Sequence, residues 1–123
     1  MVAYNEAHHA RPGVRFVALD VTSDPLPEGE FVTVREVLQH LSNDSIEAAL
    51  ANMRRTFPRA IVTEMQPGRC EVPNLDIVSG YRTRDGLHSG VYLNLPPFGL
   101  TILDEYVMSA STNELLRPVL VAL

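Results

Sequence analysis

The clearest hydrophobic pattern in this sequence is a stripe of apolar residues that recur at spacings of three and four. Its members are Ile46, Ala49, Leu50, Met53, Phe57, Ile61 and Met65. This spacing predicts an amphipathic helix with one buried face. Asp44 and Glu47 have the spacing of a capping box, so we predict that the helix begins at Asp44. Pro58 removes one helical N–H group, so we expect a kink or short break there, with helix resuming to about Glu64.

A shorter apolar pattern with the same period comes just before that helix. Thr33 and Glu36 form another capping-box pair. The apolar residues that follow at helical spacing are Val34, Val37, Leu38 and Leu41. Ser42 and Asn43 end the pattern. The two stripes together predict a pair of helices joined by a tight turn.

Segments rich in β-branched and aromatic residues flank the helical pair and predict strands. One lies before the first helix, at residues 13–21. Three more follow the second helix, at residues 69–72, 75–84 and 91–95. Residues 85–90 carry a glycine near each end and predict a turn. The order of these segments predicts a meander of antiparallel strands.

The two ends of the chain carry weaker patterns. Residues 1–12 are polar and predict a flexible tail. Residues 100–108 predict a short helix, with a strand as the alternative over residues 100–103. Residues 111–123 predict a C-terminal extension or linker. Within it, the apolar stretch at residues 119–123 is typical of a strand, or of the start of a connection.

Length and composition indicate one small globular domain. The chain has 123 residues, of which 46% are hydrophobic and 20% are charged. No stretch reaches the roughly 20 apolar residues that span a membrane, and the N-terminus lacks a signal-peptide pattern. Cys70 is the only cysteine, which excludes an internal disulfide. We therefore expect a cytoplasmic protein without a membrane partner.

The charged residues lower the expectation of nucleic-acid binding. All ten basic residues are Arg, and fifteen acidic residues give a formal net charge of -5. Clustered Lys and Arg residues normally drive phosphate binding through counterion release. An acidic chain without Lys starts at a disadvantage, although a local Arg patch can still bind phosphate.

No motif for a known reaction occurs in the sequence. The chain has no glycine-rich phosphate loop, no nucleophile elbow, no His-Glu-x-x-His and no Cys-x-x-Cys. Without Lys, Schiff-base chemistry is impossible. His8 and His9 lie in the predicted tail, and the consecutive Asp104 and Glu105 point about 100° apart on a helix. We therefore predict no catalytic residue, no metal ion and no cofactor, and we interpret the chain as a binding or assembly module.

The order of predicted elements resembles the HU/IHF-like family of bacterial architectural DNA-binding proteins over somewhat more than half of the chain. Residues 32–41 look like the first helix of the family, and residues 44–53 look like the opening of its second helix. Residues 67–77 look like its hairpin, with Asn74 and Asp76 where the family prefers glycine. Asn and Asp tolerate the left-handed backbone that such a turn needs.

The resemblance implies an α+β fold in which two N-terminal helices pack on a small antiparallel β-sheet, followed by a short C-terminal helix. Residues 13–110 would form this domain, with an extra N-terminal strand at residues 13–21. HU-like proteins form intertwined dimers, so the resemblance also implies a homodimer. Its core would consist of Val37, Leu38, Leu41, Ile46, Leu50, Met53, Phe57 and Ile61.

The features by which HU-like proteins bend DNA are reduced in this chain. Only residues 85–90 separate the two predicted strands where the family extends long arms, and no Arg-Asn-Pro tip is present. The residues that could still contact a phosphate backbone are Arg82, Arg84 and Arg69. Arg82 and Arg84 are alternate residues on one face of a predicted strand. The other interpretation of these three residues is that they are plain solvent-exposed arginines.

Two functional hypotheses follow, and neither involves catalysis. The first is an HU-like dimeric module with weak DNA binding. The second is the same fold used for dimerisation or protein assembly without DNA, as the N-terminal domain of a larger protein. A third interpretation is an unrelated small α+β protein. The acidic charge and the short arm favour the second hypothesis on physical grounds.

Overall fold

The computed structural model describes residues 1–109, 111 and 113–123. Within them the chain forms two α-helices and a mixed β-sheet, which confirms the α+β class. The helices are Val2–His9 (α1) and Asn43–Arg54 (α2). The strands are Val32–Arg35 (β1), Arg59–Pro67 (β2), Ile102–Glu105 (β3), Met108–Ser109 (β4) and Glu114–Ala122 (β5). Short 3-10 helices occupy Leu38–His40 and Asp85–Leu87.

The five strands form one sheet in the order β1-β2-β5-β3, and β4 also pairs with β5. β1 runs parallel to β2, and α2 forms the connection between them. The other pairs are antiparallel. The two long central strands, β2 and β5, pair along their whole length, from Arg59 opposite Ala122 to Pro67 opposite Glu114. No helix among the described residues has the length and apolar character needed to cross a membrane.

The hydrophobic core lies between α2 and one face of the sheet. Ile46, Leu50 and Met53 of α2 are buried, which confirms this part of the predicted stripe. They pack with the covered face of the central strands, formed by Ala60, Val62, Val119 and Val121. The helix begins at Asn43 because Ser42 is its N-cap, and the Ser42 hydroxyl accepts a hydrogen bond from the Ser45 N–H over 3.2 Å.

The expectation that helix resumes after Pro58 is wrong, because residues 59–67 form the central strand β2. Ala60 and Val62 face the core, whereas Ile61 and Met65 lie on the opposite face and are half-buried. The four-residue spacing of Ile61 and Met65 is compatible with a helix as well as with one face of a strand. Pairing with β5 over nine residues outweighs the helical alternative.

The helix predicted over residues 33–41 is also wrong. Val32, Thr33 and Val34 belong to β1 and pair with β2. These β-branched residues suit a strand better than a helix. Glu36 then adopts a positive φ of 53°, which ends the strand, and one 3-10 turn follows.

Most of the smaller predicted elements differ as well. The segments at residues 13–21, 69–72, 75–84 and 91–95 form no strand. Residues 100–108 contain β3 and the start of β4, so the strand alternative was closer than the helix. In each case the local composition suited a strand or a helix, but the partners available in the fold decided the outcome.

Residues 114–122 are part of the folded unit and not a linker, because β5 lies in the middle of the sheet. Pro118 sits inside this strand although it has no N–H group to donate. The Pro118 carbonyl accepts a hydrogen bond from the Tyr106 N–H over 3.0 Å, at the interruption between β3 and β4. The missing N–H therefore faces a gap in the neighbouring ladder, where proline is tolerated.

The residues expected to form a dimer core are mostly used within one chain. Five of them are buried in the monomer core: Leu38, Ile46, Leu50, Met53 and Phe57. Leu41 packs against that core. Val37 is 42% exposed, and Ile61 is half-buried on the uncovered face of the sheet. The homodimer stays a prediction, but most of this set is not free to form its interface.

Replacement of Ile46 by alanine tests the placement of α2. We expect Ile46→Ala to lower the free energy of unfolding by about 2–5 kcal/mol, because it leaves a cavity against the sheet. Chemical denaturation measures the change. Glu47→Ala, at the next and exposed position of α2, is the control and should shift stability by no more than about 0.5 kcal/mol. Equal effects of both substitutions would contradict this packing.

Candidate interaction loop

The candidate site is a loop, residues 75–89, in the long irregular connection between β2 and β3. Its two ends meet, because the Leu75 N–H donates to the Ser89 hydroxyl over 3.1 Å. Just outside this contact, the Asn74 N–H donates to the Gly90 carbonyl over 3.0 Å. A compact loop whose ends are close together is an Ω-loop, a form that is frequently functional.

A buried arginine holds the loop from the inside. The side chain of Arg84 has 0% exposure. Its Nε donates to the Leu75 carbonyl over 2.9 Å, and its Nη1 donates to the Leu38 carbonyl over 3.0 Å. Its Nη2 donates to Asn43 Oδ1 over 2.9 Å. The guanidinium therefore links the start of the loop to α2 and to the turn after β1.

The Arg84 guanidinium is a permanent positive charge in the interior of the chain. Burial lowers the pKa of Arg84, and the negative charges of Asp76 and Glu64 oppose this shift. A guanidinium nevertheless stays protonated in a protein. A buried charge is costly unless hydrogen bonds and opposite charges compensate for the lost water. The geometry of the three acceptors is therefore tightly constrained.

Glu64 holds the turn after β1 from the opposite side. This carboxylate on β2 is only 2% exposed. Its Oε1 accepts from the Leu38 N–H over 2.9 Å and from the Val37 N–H over 3.2 Å, and its Oε2 accepts from the Gln39 N–H over 3.1 Å. Burial raises the pKa of Glu64, while these three backbone hydrogen bonds and the nearby His40 lower it. Glu64 thus fixes the same turn to which Arg84 donates a hydrogen bond.

The start of α2 holds the first part of the loop. The Asn43 N–H donates to Asp76 Oδ1 over 2.7 Å. The Ser42 N–H donates to the Ser79 hydroxyl over 2.8 Å. Free N–H groups at a helix N-terminus favour such acceptors, and a carboxylate also interacts well with the helix dipole. The loop therefore caps α2, and α2 orders the loop.

Asn74 confirms one expectation about the turn before the loop. Its φ is 54°, in the left-handed region that asparagine tolerates. Its side chain is buried, accepts from the Tyr92 N–H over 2.7 Å and donates to the Pro96 carbonyl over 2.9 Å. Asp76, the second residue at a family glycine position, has no positive φ. Asn74 thereby ties the base of the loop to residues 92–96.

The outer surface of the 75–89 loop is apolar. Val78 is 89% exposed and Tyr81 is 87% exposed, the largest values among bulky hydrophobic residues other than Met1. Leu87 is 54% exposed. These side chains line a concavity of about 570 Å³, together with Ile77 and Arg82 among others. A braced loop thus presents Val78, Tyr81 and Leu87 to solvent.

The Arg82 side chain adds an exposed positive charge to this surface and makes no hydrogen bond within the loop. Its guanidinium lies 6.0 Å from the centre of the Tyr81 ring. The backbone beside it is held, because Nδ1 of His40 lies 3.2 Å from the Arg82 carbonyl and the Gly80 N–H donates to the His40 carbonyl over 2.9 Å. The tip therefore combines a fixed backbone with an exposed aromatic–arginine pair.

The three arginines expected to contact phosphate do not lie in equivalent environments. Arg84 is buried, so the expectation that it shares a solvent face with Arg82 is wrong. Arg82 is exposed on the loop. The side chain of Arg69 is 86% exposed, and its Nε lies 4.0 Å from Glu71 Oε1. Only Arg69 and Arg82 of this set are accessible to a ligand.

Sequence reasoning missed Glu64 and the buried role of Arg84. Both are charged residues, which are almost never fully buried unless they are paired or hydrogen-bonded. Their acceptors and donors are backbone groups distant in sequence, such as the Leu38 carbonyl, which carry no residue-type signal. The closely spaced polar residues at the start of α2 were the only local sign of a capping cluster.

The described residues offer little for catalysis. They contain no group of three or more His, Cys, Asp or Glu side chains that could hold a metal ion. Cys70 is half-buried and hydrogen-bonds with Tyr92. Burial, and after it the contact with Cys70, raises the pKa of Tyr92 to about 12. The Tyr92 hydroxyl therefore stays protonated at neutral pH. The absence of an enzymatic activity stays a prediction.

Comparison of the chain with protein-family models, with curated proteins and with solved structures gave no match. The α+β fold and the geometry of the loop are therefore the observations that bear on the function.

Substitution of Arg84 tests whether it braces the loop. We expect Arg84→Met to lower the free energy of unfolding by about 3 kcal/mol or more, because it leaves the acceptors of three charge-assisted hydrogen bonds unpaired in the interior. Arg84→Lys should not restore stability, since an ammonium cannot match the planar fork of donors.

Arg82→Met is the matched control, because it removes the exposed arginine two residues away. It should change stability by no more than about 0.5 kcal/mol. Urea denaturation of the three variants provides the measurement. An Arg84→Met protein with the midpoint of the unsubstituted chain would contradict the bracing role.

Proposed function

We propose that this chain is a non-enzymatic protein-binding module that docks on a partner protein through the 75–89 loop. The observation that carries the proposal is the exposure of Val78 and Tyr81 on a loop that buried polar groups hold in place. Contiguous exposed apolar surface on a soluble protein marks interaction sites. Tyr and Arg are also enriched among the residues that dominate binding energy, and Arg82 stands beside Tyr81.

The bracing of the loop supports binding by a pre-ordered surface. Association normally costs free energy for every side chain and loop that becomes ordered at the interface. The hydrogen bonds of Arg84 and Ser79 order the backbone before any partner arrives. Binding through this loop therefore costs less free energy of ordering, so a larger part of the contact energy contributes to affinity.

The chemistry of the loop indicates what the partner surface contains. Tyr81 and Val78 need an apolar cleft, and the concavity between Ile77 and Leu87 can accept one apolar side chain in return. Arg82 favours a carboxylate at the rim of that cleft. The expected partner is a protein with an apolar groove flanked by an acidic residue.

DNA binding by an HU-like dimer is the competing hypothesis. Its support is the resemblance of the sequence and the exposure of Arg69 and Arg82. Against it stand the net charge of -5 and the burial of Arg84. Membership of the HU/IHF-like family stays a prediction. The variants described below test both the protein-binding and the DNA-binding hypothesis.

Site-specific photocrosslinking tests the proposed docking surface. A photoreactive phenylalanine analogue at position 81 should crosslink one defined protein in the native host. The same analogue at position 106 is the control, because Tyr106 is also an exposed tyrosine but lies outside the loop, with 65% exposure. Position 106 should not crosslink that protein.

Calorimetry with the purified partner then measures affinity. We expect Tyr81→Ala to weaken binding by about tenfold or more, since a central aromatic contact typically contributes over 1 kcal/mol. Val72→Asp, at an exposed valine outside the loop, should leave affinity unchanged. Equal crosslinking at both positions, or equal effects of both substitutions, would overturn the proposal. Salt-dependent binding of duplex DNA that Arg82→Ala abolishes would favour the DNA hypothesis instead.

A further inference from the structure

Residues 13–20 have the sequence of a β-strand but lack a strand partner. They include Val14, Phe16, Val17 and Leu19, of which Val17 is 63% exposed and Leu19 is 39% exposed. Within the described residues, the backbone groups of Val17, Ala18 and Leu19 make no hydrogen bond. Apolar side chains and open backbone groups on one extended segment are the requirements for pairing with a sheet edge.

The sheet offers one free parallel-strand edge at β1. The Glu36 N–H donates to the Thr63 carbonyl of β2 over 2.8 Å, so the backbone groups of every second residue before it also point to β2. The N–H and carbonyl groups of Thr33 and Arg35 therefore point away from the sheet. They make no backbone hydrogen bond to another described residue.

An apolar groove runs beside this free edge. It has a volume of about 280 Å³. Its walls include Leu19, Val21, Leu26, Val34, Met53 and Phe57. The groove therefore lies next to both the open backbone edge of β1 and the core residues Val34, Met53 and Phe57.

We propose that residues 14–18 of one copy of this chain pair with the outer edge of β1 in a second copy. In an extended segment Val14, Phe16 and Ala18 share one side, so all three can enter the apolar groove. Arg15 then lies on the solvent side with Val17. The exchange is reciprocal in a two-fold dimer, because each copy supplies one segment and one edge.

The geometry favours a second copy over the chain's own segment. Leu19 and Val21 of the same chain already form a wall of the groove and cannot also fill it. The residues before them make only local contacts, such as the Phe16 N–H to Glu6 Oε2 hydrogen bond of 3.3 Å. Among the described residues, no hydrogen bond joins residues 14–18 to β1 of the same chain.

The surface area of the chain is large enough for this dimer. The accessible surface is 7890 Å². A compact monomer of 13.6 kDa is expected to expose about 6,600 Å². An interface of standard size buries roughly 800 Å² of each partner, which is a small part of this surface. This self-association uses a different surface from the proposed partner-binding loop.

Disulfide trapping between two variants of the chain tests the proposed pairing between copies. One variant carries Val17→Cys and the other carries Thr33→Cys. Both also carry Cys70→Ser, and they have tags of different mass. Mild oxidation of the mixture should give a mixed disulfide dimer. A Val78→Cys population replaces the Thr33→Cys one as the control and should give much less. Equal trapping with both would overturn the proposal.

A chain with both Val17→Cys and Thr33→Cys separates the two possible arrangements. Reciprocal exchange predicts disulfide-linked dimers. An internally bonded monomer at every concentration would show that the segment folds back on its own β1 and would overturn the proposal.

Thr33→Pro provides an independent test, measured by sedimentation equilibrium. Its N–H points outward, so proline spares the β1–β2 ladder but blocks strand addition. We expect the dimer dissociation constant to rise by about tenfold or more, with an unchanged circular dichroism spectrum. Val78→Asp should leave the dimer intact even if it abolishes binding of a partner protein. An unsubstituted chain that is monomeric throughout, or a Thr33→Pro dimer of equal affinity, would overturn the inference.

Discussion

The arrangement of this chain depends on a buried guanidinium without a direct ion-pair partner among its hydrogen-bond acceptors. Arg84 donates to two backbone carbonyls and one amide oxygen, which come from the loop, from the turn after β1 and from the start of α2. A buried charge requires all of these acceptors at once, because each unsatisfied donor carries a desolvation cost. Three segments distant in sequence are therefore constrained by one side chain.

Glu64 completes this arrangement with a buried negative charge on the other side of the same turn. The Leu38 N–H donates to Glu64, and the Leu38 carbonyl accepts from Arg84. One peptide segment thus separates the two charges and hydrogen-bonds to both. The sheet, through Glu64 on β2, is linked in this way to the 75–89 loop, whose apolar tip faces solvent. A rigid scaffold with an exposed loop is the arrangement that many binding proteins use.

The sequence predicted those parts of the fold that depend on local patterns. The buried face of α2 follows from Ile46, Leu50 and Met53, which are neighbours on one helix. β2 was missed because its core-facing positions include the polar residues Glu64 and Gln66, so that no apolar alternation is visible. The spacing of Ile61 and Met65 then favoured a helix. No pattern in one sequence distinguishes a strand face of this kind from a continued helix.

The candidate site was harder to predict for a related reason. Residues 75–84 have the composition of a strand, but a strand also needs an available edge, and the loop is held by side chains instead. Arg84 was indistinguishable from Arg82 by residue type, yet one is buried and the other exposed. The difference arises from acceptors such as Leu38 and Asn43, which only the tertiary fold brings near.

The most direct test of the bracing by Arg84 and Glu64 is native-state hydrogen exchange. It compares the opening free energies of the Gly80 and Ser89 amides with that of the Val62 amide in the central strand. If Arg84 and Glu64 join the loop to the sheet as one cooperative unit, the loop amides should exchange with nearly the same opening free energy as Val62. Exchange of Gly80 and Ser89 at rates close to those of an unfolded peptide, while Val62 stays protected, would contradict the account.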